Sequence, residues 1–535
     1  MRSPTSLSLR GLLASSVALG ALGAALATSP AQAHGIQGHM HVTGWALENQ
    51  PAGDLRDFFD DPEVMDAALF GAAFTDSGYW PQAGPIKDQA RAYSEHTHWE
   101  PFVQDFIAWI RANDPPPWTS LESRKRVAFL MGCASHGAQD EIFDSLFLFQ
   151  VNQHDGKEQG EADPGTDGFL ALDGHLRFLP PKWMPLDTLI ELYQVLDEDI
   201  TADVVETAVG LLELFYLGEG ALDIATSLGH QYEDVIPWTH DHYLDPDIPG
   251  SLLSEILPTM GYQQAIWARL HEGLSADQLV VGRFPQPPRR LLGNIPGTPD
   301  SWITLVFGMG MQVQSAQVSL HTADGAMAPF ALKSTRWGGP GGWSRVMRVQ
   351  PTAGLEPGGV YTVQVEPGVA LMDGTTLESA ITFEFQAPCD ELSAELCPDL
   401  GELPVPDIDG PAVVAADEGP EEVEEPGPEA VAEAVADAGA ETGAETGAET
   451  GAETGAETGA ETGADAGADA GAETGAETET EAGADAGAET GADGSSSGGG
   501  CAGGGGSSGA GWVGALLLVG AALASRRWRV GRSLR

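Results

Sequence analysis

The chain has 535 residues and a formal net charge of −54, with 79 acidic against 25 basic side chains. The length leaves room for more than one domain, and the charge weighs against a polyanionic partner at long range. Most of that excess sits in one tail, so it constrains the folded part little. Twelve of the thirteen histidines precede Gly273, and any side-chain chemistry is expected there.

Residues 1–33 carry Arg2 and Arg10, an apolar run from Leu12 to Ala27 and the small-residue site Ala31-Gln32-Ala33. This is the pattern of a secretory signal, so export is expected. Cleavage after Ala33 makes His34 the first residue, with a free α-amine that can bind a metal once deprotonated. HGIQGHMHVTGWAL then puts His39 and His41 on the first turns of a helix. Asp54 to Asp60 and DDPEVMDAALFGAAF read as a loop followed by a helix. AAFTDSGYWP ends in Asp76 and a turn, where an Asp is ordinarily a cap or turn former. YSEHTHWEPF places His96 and His98 before an amphipathic helix over Phe102–Arg111.

The stretch Arg124–Phe149 organises the rest. At about 100° per residue, Phe129, Cys133, His136, Asp140, Asp144 and Phe147 share one side of a helix. Val127, Leu130, Met131, Ile142 and Leu146 make the other sides apolar too, so the helix belongs in a core. His136 and Asp140, at i and i+4, present a nitrogen and an oxygen to one point. That spacing suits a metal, and it equally suits a structural His–Asp pair. Cys133 reads as a small buried hydrophobe.

Leu186–Leu196, Ala202–Leu217 and Leu252–His271 have helical periodicity and read as core, and HQYEDVIPWTHDHYLDPD, with His230, His240, Asp241 and His242, reads as an exposed loop. Arg283–Pro299 is a Pro/Arg/Gly-rich boundary. SWITLVFG, AQVSLHT, APFALKS, SRVMRVQP, VYTVQVEP and ITFEFQ then alternate as short strands. Cys389 and Cys397 are placed for a local disulfide. The GAET and GADA units that follow cannot bury enough apolar surface to fold, so they form an extended acidic stalk. Gly509–Ala524 is apolar but short for a bilayer span, and Arg526, Arg527 and Arg529 follow it.

HGIQGH, AAFTDSGYWP, SEHTHWEPF and VAFLMGCASHGAQD occur in the order and spacing of the zinc-dependent phospholipase C superfamily. Over roughly His34–Phe178 the chain most resembles the amino-terminal catalytic domain of glycosylphosphatidylinositol phospholipases D. The single-strand-specific zinc nucleases share that fold. Carried over residue by residue, the resemblance implies that His34, His39 and Asp140 hold one zinc. Asp76, His98, His136 and the bridging Asp140 would hold a second, with Asp76 also orienting or deprotonating the attacking water. Where the family has a third site rich in histidine, this chain offers Asp144, with Asp163 and Asp167 in the loop-like GEADPGTDGF. That oxygen set suits zinc less than a harder cation such as calcium. His154 or His175 would supply a nitrogen in another register.

The expected fold is an all-α catalytic domain followed by a small all-β immunoglobulin-like sandwich that serves as a spacer. The expected organisation is a signal over 1–33, a helical domain over 34–282, a sandwich over 295–388 and a connector over 389–409. An acidic linker over 410–508 and a membrane or sorting tail over 509–535 complete it. The tail resembles myxobacterial surface-sorting tails, with Cys501 as the attachment point. The function this implies is that of an exported, surface-tethered phospholipase C acting on phospholipid head groups. The alternatives are a single-strand nuclease, against which the lack of a basic groove with interleaved aromatics counts, and a non-catalytic scaffold with a structural metal site.

Overall fold

The computed structural model describes residues 35–397, except 82–83, 223, 272, 276–277, 287–289 and 335–339, together with Pro406 and Ile408. The signal sequence, His34, the acidic linker, Cys501 and the C-terminal tail lie outside the described residues. Among the described residues no helix is long and apolar enough to cross a membrane.

The helices in chain order are α1 (Ile36–Glu48), α2 (Asp54–Phe58), α3 (Pro62–Phe74), α4 (Lys87–Thr97), α5 (Glu100–Asn113), α6 (Leu121–Ser145) and α7 (Phe147–Asp155). They continue with α8 (Gln159–Leu172), α9 (Leu186–Leu192), α10 (Ala202–Leu222), α11 (Ile224–Glu233), α12 (Pro237–His242) and α13 (Leu252–His271). Helix α6 is the core helix expected from its composition. Ser120 caps its start by accepting from Ser123 N at 3.1 Å. From Val127 to Leu148 every residue but Asp140 is buried. Phe129, Leu130, Met131 and Cys133 join Phe70, Phe74, Phe102 and Phe106 in the main helical core. Deleting any one of these phenylalanine rings would cost roughly 3–5 kcal/mol. Gly132 lies so close to the Ala68 carbonyl that a Cβ there would overlap it, which lets α3 and α6 run backbone to backbone.

Three segments read as loops are helical, the first being Asp54–Phe58, which forms the short α2 with Leu55 buried. GEADPGTDGF lies inside α8 with Pro164 within it, because Ala162, Phe169 and Leu170 are buried in a second core and Gly168 meets Gly229 of α11 at backbone distance. Burial there outweighs the hydrogen bond that Pro164 removes. The His-Asp-His segment forms α12, with Pro237 in its first turn. Asp155 caps it, accepting from Trp238 N and Thr239 N at 3.0 Å each.

The strands are β1 (Val280–Phe284), β2 (Ile303–Gln312), β3 (Val318–Thr322), β4 (Phe330–Ser334), β5 (Ser344–Pro351), β6 (Val360–Val365), β7 (Ala370–Leu371) and β8 (Ile381–Gln386). One antiparallel sheet runs β1-β2-β5-β4 with β7 on β2, and the other runs β3-β6-β8. The two share a core that includes Leu305, Phe307, Leu320, Val363 and Phe383.

The expectation of an all-α domain followed by a separate immunoglobulin-like sandwich is overturned. Strand β1 starts inside the span assigned to helices, and α13 packs on both β1 and β2. β2 is buried from Ile303 to Met311 without the in–out alternation of a solvent-faced sheet, because its second face meets helices. Ile142 and Leu146 of α6 share a core cluster with Phe284, Trp302, Val306 and Val346. Arg348 of β5 lies 4.6 Å from the Phe149 ring and 4.4 Å from the Trp302 ring and donates to Ser145 O at 2.6 Å. Helices and sheets are one α+β body, so the sheets are more than a spacer. Cys389 and Cys397, just past β8, are joined as a disulfide.

Candidate metal centre

Five of the residues singled out by sequence meet at one place: His39 from α1, Asp76 just past α3, His98 at the end of α4, and His136 and Asp140 from α6. Two triplets, His39–His136–Asp140 and Asp76–His98–His136, each bring their ligand atoms within 4.8 Å of one another. Asp76 makes no capping hydrogen bond to the turn it begins. Its Oδ1 lies instead 3.1 Å from His98 Nε2 and 3.5 Å from His136 Nε2. Asp140 Oδ1 is 3.1 Å from His39 Nε2, while Oδ2 is 3.3 Å from His98 Nε2 and 3.4 Å from His136 Nε2.

The far nitrogen of each ring decides what the near one can do. His98 Nδ1 lies 2.7 Å from Ser94 O and His136 Nδ1 lies 2.6 Å from Ala72 O. A carbonyl only accepts, so both Nδ1 atoms carry the hydrogen, and each neutral ring turns an Nε2 lone pair inward. Those two Nε2 atoms are 3.2 Å apart. His39 Nδ1 is 2.9 Å from Gln139 Oε1, whose amide in turn donates to Thr43 Oγ1 at 3.0 Å. Facing lone pairs and two carboxylates in a buried site repel unless a proton or a cation lies between them.

The titrations express that demand. Burial pulls the His136 pKa down, but Asp140 and Asp76 outweigh it and push it up to about 10. His98 is raised in the same way, against burial, by Asp76 and Asp140. His39 is lowered by burial and by His136. Burial opposes ionisation of Asp76 and Asp140, yet the histidines hold both below the usual carboxylate range. Asp76 Oδ2 is buried without a hydrogen-bond partner. His39, Asp76 and His136 have fully buried side chains, whereas Asp140 keeps 16% and His98 10% exposed, so the site opens on the Asp140–His98 side.

The acids expected to form a third site do not assemble in the same way. Asp144 accepts from Gln159 Nε2 at 3.4 Å, and Asp163 is buried with its Oδ1 unpartnered. Burial first, then Asp144, Asp140, Asp167 and Asp76, raise the Asp163 pKa well above the usual carboxylate value. Asp167 turns to the start of α1, accepting from Gln37 N at 3.1 Å and Gly38 N at 3.0 Å. Burial raises its pKa to about 7 against those two hydrogen bonds. It crowds Gly35 so closely that a Cβ there would overlap the carboxylate. His154 stacks on Trp238 at 4.5 Å, and His175 meets Trp45 edge-on at 5.8 Å.

Sequence reading missed Glu255 of α13, a fully buried carboxyl raised by burial, Asp140 and Asp144. A lone acid within LLSEILP was its only signal. The carbonyls of Ser94 and Ala72, which orient two rings, carry no sequence signature at all.

A buried cluster of three imidazoles and two carboxylates, each ring held by its far nitrogen, is a donor set that could hold a metal ion. The chain is distantly related, over part of its length, to phosphatidylinositol-glycan-specific phospholipase D. It is 29% identical to the protein of that name from Rattus norvegicus over 174 residues, which are 30% of this chain and 20% of that protein. The Mus musculus protein matches at 28% over 235 residues, 40% of this chain and 26% of that protein. The Homo sapiens protein matches at 31% over 147 residues, 25% of this chain and 17% of that protein. The chain thus spans about a quarter or less of the length of these relatives. No protein-family model matches it. Among solved structures, the N-terminal part of the bacterial S-layer protein SbsC aligns over 61% of this chain and 79% of that one at 12% identity. The TM-score of 0.16 is too low to carry an argument about fold.

Proposed function

We propose that the chain is an exported, zinc-dependent phosphodiester hydrolase that cleaves the head-group phosphodiester of a phospholipid. The observation that carries this is the pair of Nε2 lone pairs 3.2 Å apart between two carboxylates, one with an orphaned oxygen, which a divalent cation would reconcile. His39 and Asp140 would hold one ion, completed by the His34 amine, and Asp76, His98, His136 and Asp140 a second. Bound there, such ions supply a Lewis acid for phosphate oxygens and an acidified water.

The chain's own groups do the rest. Ser94 O, Ala72 O and Gln139 fix the three rings so that no reorganisation is needed when phosphate arrives. Asp76 Oδ2, with no protein donor, would orient the attacking water through a hydrogen bond. The opening on the Asp140–His98 side admits the head group, while the buried side excludes bulk water. Distant relation to phospholipases D favours phosphatidic acid over the diacylglycerol of a C-type cleavage. The signal-like leader and the Cys389–Cys397 disulfide support export, and the apolar, arginine-flanked tail supports tethering at the cell surface.

The test is zinc analysis of the purified exported chain with His34 at its amino terminus, run beside hydrolysis of phosphatidylcholine, phosphatidylinositol and glycosylated phosphatidylinositol, with single-stranded DNA as a comparison. Two equivalents of zinc and lipid turnover are expected, with the lipid product naming the bond cleaved. Zinc without turnover would return the chain to a scaffold role, DNA turnover alone to a nuclease, and absence of zinc would overturn the metal reading.

A further inference from the structure

The geometry points to Arg345 of β5 as a positioning residue for the metal centre, which makes the sheet region a working part of it. Arg345 is fully buried. Its Nη2 donates to the carbonyl oxygen of His98 at 2.7 Å, so one of the five clustered residues hangs from it directly. Its Nε donates to Glu141 Oε1 at 2.6 Å and its backbone N to Glu141 Oε2 at 2.9 Å. Glu141 follows Asp140 on α6. One guanidinium thus clasps the backbone of His98 and the residue beside Asp140, the two members through which the site opens.

The contact leaves no slack. Gly137, one residue past His136, packs so closely on the His98 carbonyl that a Cβ there would overlap it, and that Cβ would also lie 2.9 Å from Arg345 Nη2. Arg345 is held in turn from behind. Its Nη1 is 3.4 Å from Tyr262 Oη and 3.9 Å from Glu100 Oε2. Tyr262 donates to Glu100 Oε2 at 2.7 Å, and Arg269 Nη1 lies 2.7 Å from Glu100 Oε1. Two buried cations therefore balance two buried carboxylates, and the fork is fixed from α5, α6 and α13 at once. A lysine carries the charge but cannot span Glu141 and the His98 carbonyl in one plane.

This inference rests on the metal reading, and the test separates the two. Zinc affinity by chelator competition, zinc stoichiometry, thermal midpoint and lipid hydrolysis would be measured on the exported chain starting at His34 and on its Arg345→Lys, Glu141→Gln and Arg269→Lys variants. Residues that orient metal ligands from behind are worth roughly 10–100-fold in affinity. Arg345→Lys and Glu141→Gln are each expected to weaken zinc binding on that scale and to lower kcat with KM little changed. Arg269→Lys, which sits on the same network through Glu100 but contacts neither the His98 carbonyl nor Glu141, is expected to lower the thermal midpoint and leave zinc affinity within about twofold. Unchanged zinc affinity in Arg345→Lys and Glu141→Gln would reduce Arg345 to a strut and overturn the proposal. So would an equal loss in Arg269→Lys, or failure of both clasp variants to fold. Absence of zinc from the unaltered chain would overturn the metal reading, and the positioning role with it.

Discussion

Two groups of acids lie side by side in this protein and behave differently. Asp76 and Asp140 point at imidazoles whose far nitrogens are tied to backbone carbonyls or to Gln139, and they stay ionised in spite of burial. Burial first, and then the charge of nearby carboxyls, push Asp163 and Glu255 towards protonation. Asp167 leaves the group to cap a helix. A carboxylate becomes a ligand, then, where neighbours of opposite or neutral character are already oriented around it. An acid placed among acids has a protonation problem before it has a coordination role.

The sharpest way to break this comparison is Asp140→Asn. Asp140 touches three of the imidazoles, so its loss should remove both zinc equivalents and lower hydrolysis by more than about 100-fold, beyond what a change behind the ligands costs. Loss of only one equivalent, measured by elemental analysis, would refute a shared oxygen.

Gly137→Ala is expected next in size. Overpacking against the His98 carbonyl should destabilise the fold by about 1–3 kcal/mol and weaken zinc binding together. Denaturant titration with unchanged stability would mean that the His98 segment gives way easily.

The acidic side predicts a pH signature. A carboxyl whose folded pKa lies above 3.8 keeps a proton that the unfolded chain has released, so stability falls as pH rises from about 3.8 towards the folded value. The thermal midpoint of the zinc-free chain should therefore decline with rising pH over the range from about 4 upward. Asp163→Asn should flatten that decline, and parallel curves for the two proteins would show that Asp163 is stabilised by something other than its own proton.

Asp167→Ala should have the smallest effect. Removing a cap costs about 0.5–2 kcal/mol, and the zinc count should not change. A missing zinc equivalent would restore Asp167 to the ligand set expected from sequence.

Legibility in the sequence followed the range of the interactions. His136 and Asp140 could be singled out by their one-turn spacing, whereas His39, Asp76 and His98 entered the ligand set only through the family resemblance carried by HGIQGH, AAFTDSGYWP and SEHTHWEPF. Helix α6 was readable from its apolar sides alone. GEADPGTDGF was read as a loop because Pro164 and Gly165 signal one locally, while the approach of α8 to α1 and α11, made elsewhere in the chain, keeps the segment helical. Arg345 was invisible for the same reason: Glu141 lies 204 residues away along the chain and His98 lies 247 away. The strands themselves alternated legibly, but no periodicity tells which neighbour covers a sheet's second face, and the helices covering β2 are what turned two expected domains into one.

The Cys389–Cys397 disulfide has a mechanical consequence. The acidic repeats follow it in the sequence, so a pull from that side, once past Ile408, would reach the folded body at the end of β8. The grip of Ile408 on the helical core would peel first. The covalent loop would then pass the load to β8, an edge strand paired only to β6 within its sheet. The five-stranded sheet carrying Arg345 lies beyond that ladder, so edge bonds would yield while the histidine cluster kept its shape, as a fuse protects the circuit behind it.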